Sequence, residues 1–127
     1  MNKRIICSKN APAAIGPYSQ GIGFSNLVFL SGQLPVNPNT GEMPSGVEEQ
    51  AKQSIENIIS ILKEEGLTLK DVVKTTVFLK NLGNFSKVNE IYGEYFEGFY
   101  PARSCVEVAA LPKDAEIEIE VIAVKND

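Results

Sequence analysis

The run Pro101-Ala102-Arg103-Ser104-Cys105-Val106-Glu107-Val108 holds the densest set of reactive side chains in this 127-residue sequence. Read as a strand, it turns Arg103, Cys105 and Glu107 to one face and Ser104, Val106 and Val108 to the other. An arginine at the mouth of a strand can grip a carboxylate through two parallel N–H bonds. The same spacing also suits a solvated or structurally ion-paired arginine. Further on, Glu116, Glu118 and Glu120 alternate with Ile117 and Ile119, so three carboxylates share one strand face at spacings of roughly 7 Å. Mutual repulsion can raise one of their pKa values, and a positioned glutamate can orient or deprotonate water. A wet outer sheet face has the same pattern.

Other candidates carry weaker signals. Gly16-Pro17-Tyr18-Ser19-Gln20-Gly21 holds Tyr18 between a proline turn and a glycine, where its phenol can point into a cleft rather than a core. Ser31-Gly32-Gln33 ends an apolar strand with a residue lacking Cβ, which lets a ligand approach the backbone, although a plain turn reads the same way. Cys105 has no histidine to activate it, because the chain contains none, and a strand cysteine is as well explained by packing or by lining a pocket. Asn89 falls on the second predicted helix, either facing a site or exposed. No phosphate-binding loop, dinucleotide glycine motif or metal-ligand cluster is present, and without histidine the Ser-His and Cys-His pairs and mixed His/Cys zinc sites are excluded.

The elements that must position these residues follow from pattern. Lys3 to Cys7, Ser19 to Phe24 and Asn26 to Gln33 are expected strands, and the Pro-, Asn- and Gly-dense stretch Pro35 to Gly46 is a surface loop. Ser45-Gly46-Val47-Glu48 reads as a capping box opening a helix. Val47, Ala51, Ile55, Ile58, Ile59 and Leu62 form its apolar face, opposed by Glu48, Gln50, Lys52, Glu56 and Lys63, with Gly66 as the stop. Val72 to Leu79 is β-branched and strand-like. Phe85, Val88, Tyr92, Tyr95 and Phe96 give a second amphipathic helix ending before Pro101. Ala102 to Val108 and Glu116 to Val124 are the last strands, separated by the Leu111-Pro112-Lys113-Asp114 turn.

This order implies an α+β domain spanning residues 1–127, one mixed sheet with two helices packed on one face. On the last strand Ile122 and Val124 lie on the side of Glu118 and Glu120, opposite Ile117, Ile119 and Val121. That strand is therefore apolar on both faces, as expected of a subunit interface. Hydrophobic residues at 43% and charged residues at 22% are the proportions of a globular domain rather than a disordered chain. A net charge of −4 argues against binding a phosphate backbone, which needs concentrated basic surface. No apolar run approaches the roughly 20 residues of a membrane span, and the N-terminal residues do not form a signal peptide. With only Cys7 and Cys105, far apart, a cytoplasmic location is expected.

Taken together, GPYSQG, LSGQLPVNPNTGE and PARSCVEVAALPKDAEIEIEVIAV, with the helix pattern between them, resemble the RidA (reactive intermediate deaminase A) family over essentially the whole chain. The PARSCVEV and EIEVIAV blocks are its specific part. The resemblance implies a chorismate-mutase-like fold and a homotrimer with three clefts between adjacent subunits. It implies that Arg103 binds a carboxylate, Tyr18 is a pocket tyrosine, Glu118 holds a water, and Ser31, Gly32, Asn89 and Cys105 line the pocket.

The activity implied is hydrolysis of 2-imino acids, formed from the enamines 2-aminoacrylate and 2-aminocrotonate, to 2-oxo acids and ammonia, with no cofactor on this chain. The expected partners are small 2-imino and 2-oxo acids and copies of the chain itself, not a membrane or a nucleic acid. Two other functions stand beside it: a sensor that binds small carboxylates in the same Arg103 cleft, and, as the resemblance implies because some similar proteins are described so, a translation-inhibiting endoribonuclease, against which the acidic charge and missing histidine count.

Overall fold

The computed structural model describes residues 2–126, which fold as one six-stranded sheet with two α-helices on one face. The strands are β1 (Lys3–Ile6), β2 (Gly21–Phe24), β3 (Leu27–Gln33), β4 (Val72–Leu79), β5 (Ala102–Glu107) and β6 (Ile117–Val124), and the helices are α1 (Val47–Lys63) and α2 (Phe85–Tyr95). Their order across the sheet is β1-β2-β3-β6-β4-β5, and only the β4–β5 pair is parallel. The architecture is therefore the mixed α+β layer expected from the order of elements. A short 3-10 turn at Pro112–Asp114 replaces the expected loop turn, with Lys113 and Asp114 both at positive φ.

Alternation sorts the strands as the sequence requires. Ile117, Ile119, Val121 and Ala123 of β6 are buried under α1, together with Val28 and Leu30 of β3. Ile55, Ile58, Ile61 and Leu62 close the helix side, each fully buried and each contributing about 1.5–3 kcal/mol by leaving water. The opposite sheet face is mixed, polar around Glu118, Glu120, Thr76 and Ser104 and apolar toward β1. One cross-strand row there runs Ile5, Ile22, Phe29 and Ile122 over four strands, with Ile5 75% and Phe29 42% exposed.

Two details of α1 differ from expectation. The capping box does not form: the N-cap is Gly46, at φ 88° and ψ 143°, and no side chain caps the helix. A residue with a Cβ adopts that φ poorly, so glycine makes the sharp entry and Ser45 falls one position too early to serve the first turn. Glu48 and Glu49 instead place negative charge at the positive end of the helix dipole. Gln50, expected on the polar face, is buried. Its Nε2 donates to the Pro44 carbonyl at 3.0 Å and its Oε1 accepts from the Glu116 N–H at 2.8 Å. A buried amide with both ends satisfied joins the loop, the helix and the start of β6 without a desolvation penalty.

Candidate active site

Arg103 extends from β5 onto the helix-bearing face, where its register partner on β4 is Thr75. Its guanidinium carbon lies 4.8 Å from the centre of the Tyr92 ring and 5.4 Å from that of Phe85, and Nη1 donates to Asn89 Oδ1 at 2.7 Å. The rings attract the cation through their negative faces, and a flat guanidinium seated on them loses less freedom when it binds a second group. Tyr92 is itself fixed: its hydroxyl shares a 2.7 Å hydrogen bond with Thr75 Oγ1, and its ring stacks on Phe96 at 4.5 Å. Burial pushes the Tyr92 phenol above its ordinary value, against the lowering effects of Thr75 and Arg103, so it stays neutral beneath the cation. Asn89, Tyr92, Tyr100, Pro101 and Arg103 line a cavity of about 430 Å³.

Tyr18, Ser31, Gly32 and Glu118 come together around a separate cavity of about 640 Å³, with Ile15, Gln20 and Lys113 among its other walls. Gln20, buried, clamps the loop before β2. Its Oε1 accepts from Ser8 N–H at 2.6 Å, and its Nε2 donates to the carbonyls of Ser8, Ala11 and Pro12 at 3.2, 3.3 and 2.7 Å. Ser31 continues the clamp, donating its hydroxyl to the Ser19 carbonyl at 2.6 Å and its N–H to that of Gln20 at 2.9 Å. The Tyr18 ring is left half exposed beside the cavity.

Glu118 folds over Gly32. A Cβ built at Gly32 would collide with the Glu118 carboxylate and approach its Cδ to 2.8 Å, so the missing side chain is the space the carboxylate uses. Burial first, and then the charge of Glu120, push the Glu118 carboxyl above the ordinary carboxylate range. A half-buried carboxylate with a raised pKa can take up and return a proton near neutral pH more readily than a free one.

The strands carry these two groups apart. Arg103 shares a row with Thr75 and Val121 on the helix side, whereas Glu118 shares one with Phe78 and Val106 on the open side. Cys105 lies two residues from Arg103 on the helix side, partly packed into the core, and burial raises its thiol pKa while Arg103 only opposes the shift. A thiol held protonated is a poor nucleophile. Both cysteines are free. Glu116 precedes β6 and lies 3.9 Å from Lys80 Nζ, away from the Glu118 cavity, and Glu107 accepts from the Leu82 N–H at 2.8 Å.

Several residues that line these cavities or hold their side chains were not singled out from the sequence. Phe85 and Tyr92 were assigned to the helix core, but with Asn89 they fall at i, i+4 and i+7, one stripe that meets Arg103. An asparagine between two aromatics on one helical stripe was the available signal. Thr75, Gln20 and Lys113 left none, because their roles depend on strand register and loop path.

Residues 8–125 match the family described as Endoribonuclease L-PSP. An Escherichia coli K12 protein named 2-iminobutanoate/2-iminopropanoate deaminase is 54% identical, covering 97% of this chain and 98% of that protein. The solved structure of Escherichia coli TdcF with bound serine superposes with a TM-score of 0.94 at 48% identity, covering 97% of this chain and 99% of that one. That of the Escherichia coli YjgF gene product gives 0.94 at 52%, with coverage of 97% and 99%. With the family match running almost end to end and near relatives of the same length, the chain belongs to the Endoribonuclease L-PSP family, with the RidA proteins whose sequence blocks it carries.

Proposed function

We propose that this protein is a 2-imino acid deaminase, converting 2-iminopropanoate and 2-iminobutanoate to pyruvate and 2-oxobutanoate with release of ammonia. The observation that carries the reading is Arg103 seated on Tyr92 and Phe85 and bonded to Asn89, with its guanidinium at a cavity large enough for a small acid. A two-pronged cation held in this way binds a carboxylate and fixes the orientation of the atoms attached to it. The near relative named for this reaction supports the same reading.

In the reaction, water adds to the imine carbon while the C=N π pair moves to nitrogen. The C–N bond of the resulting carbinolamine then breaks as its O–H proton is lost, leaving C=O and ammonia. Arg103 holds the carboxylate. Glu118 orients the water, accepts its proton and returns a proton to the leaving nitrogen, and Tyr18 hydrogen-bonds the substrate. Ser31, Gly32, Asn89 and Cys105 shape the pocket around them. The elimination that makes the enamine belongs to another enzyme, so this chain calls for no cofactor of its own.

Because Arg103 and Glu118 occupy opposite sheet faces, the reading requires the Arg103 side of one subunit to meet the Glu118 side of a neighbour. The apolar row Ile5, Ile22, Phe29 and Ile122, of which Ile5 and Phe29 are exposed, gives such a neighbour something to bury against. A contact between two different patches closes into a ring when the rotation permits, and the family resemblance supports a ring of three. The cytoplasmic location belongs to the same reading, as two free cysteines suit a reducing compartment.

The family description names an endoribonuclease, but for this chain a net charge of −4 and the lack of histidine favour the small-acid substrate over RNA. The deciding assay generates 2-aminoacrylate with a serine dehydratase and follows pyruvate with and without this protein, beside an RNA-cleavage control. Faster pyruvate release with intact RNA is expected. Carboxylate binding without acceleration would instead make the protein a sensor.

A further inference from the structure

A third cavity, of about 620 Å³, lies between the C-terminal end of α1, the segment Leu67–Lys70 and the end of α2, and Arg103 takes no part in it. Its walls include Leu69, Phe96 and Phe99, with Lys63 and Lys70 as cations. Among the described residues neither lysine forms an ion pair, although Lys52, Lys80 and Lys125 all do. Lys70 Nζ stands 5.0 Å above the Phe99 ring, and that ring is 50% exposed. Among the described residues the only carboxylate lining the cavity is that of Glu97. The phenol of Tyr95 is committed elsewhere, donating to Glu56 at 2.8 Å.

An apolar hollow with aromatic walls and a few polar groups is the ordinary form of a small-ligand site. Here the charged groups are two cations without an ion pair against one anion, on a chain whose overall charge is negative. We propose that this cavity is a second ligand site, which takes an amphipathic monocarboxylate with its aryl or branched alkyl body against Phe96, Phe99 and Leu69 and its carboxylate between Lys63 and Lys70. Phe99 is bonded directly to Tyr100, a wall of the Arg103 cavity. A ligand pressing on Phe99 therefore acts on a segment shared with that cavity.

The test is an NMR titration of the full chain with 3-phenylpropionate in an Arg103→Ala background, which removes the other carboxylate-binding group and makes the result independent of the proposed reaction. Saturable shifts are expected at the Leu69 and Phe99 amides. Binding should weaken about tenfold in the Lys63→Ala/Lys70→Ala variant, the sum of two exposed ion pairs, and similarly for the uncharged 3-phenylpropionamide. Absence of saturable shifts at these amides, or equal affinity with and without the two lysines, would overturn the proposal.

Discussion

Arg103 and Glu118 stand on opposite faces of one sheet, on strands separated only by β4, so no side-chain rotation within a chain brings guanidinium and carboxylate to one substrate. If neighbouring subunits supply them, two defective variants should repair one another. Arg103→Ala and Glu118→Gln, refolded together in equal amounts, should regain activity at about a quarter of the sites, those where an intact arginine meets an intact glutamate across a heterologous interface. Activity no greater than the average of the separate variants would place the whole site in one chain.

Gly32 leaves the space that Glu118 fills, so Gly32→Ala should lower stability by about 1–3 kcal/mol or displace the carboxylate. Thermal melts and turnover distinguish the two responses. A variant that melts and turns over like the parent would show that the carboxylate does not depend on this space.

Burial and Glu120 hold the Glu118 pKa above its ordinary value. Between the ordinary and the raised value the folded chain binds more protons than the unfolded one, so this group's contribution to stability falls as pH rises through that window and is fully present below it. Activity that needs ionised Glu118 behaves oppositely, rising with pH on a limb above the usual carboxylate range. Glu120→Gln removes the second cause and should move that limb to lower pH. A kcat profile unchanged by Glu120→Gln would remove the coupling.

The apolar row Ile5, Ile22, Phe29 and Ile122, with the trimer that the family resemblance implies, predicts a mass near three times 13.8 kDa in sedimentation. Phe29→Glu should shift the protein toward monomer and reduce activity with it, because a charge cannot be buried unpaired at that interface. A parent that sediments as a monomer at micromolar concentration would contradict the shared cleft.

Strand alternation made the faces of β5 and β6 legible: Arg103 with Cys105, Glu118 with Ile122, and the doubly apolar last strand all lie as the sequence indicates. How those faces relate was not legible, because β6 inserts between β3 and β4 and only the assembled sheet relates one strand's face to another's. The buried amides were also hidden. Gln20, Gln50 and Asn57 look like surface residues by type, yet each satisfies loop backbone groups that no periodic pattern marks, as when Asn57 Nδ2 donates to the Leu34 and Val36 carbonyls at 3.1 and 3.0 Å. Assigning roles to Tyr18 and Glu118 rested on the family resemblance, since a lone tyrosine in a turn and a row of strand glutamates have ordinary explanations.

The most direct measurement is imine hydrolysis by Arg103→Ala, with sedimentation and a melting curve to establish that the variant is folded and assembled like the parent. Arg103 is exposed in the single chain and would be desolvated by the neighbouring subunit; removing one side of such an ionic contact costs about 2–5 kcal/mol, so kcat/KM should fall between about 30-fold and several thousandfold, with lysine a poor substitute for the two-pronged guanidinium. A folded, fully assembled Arg103→Ala protein that releases pyruvate from 2-aminoacrylate as fast as the parent would contradict the account.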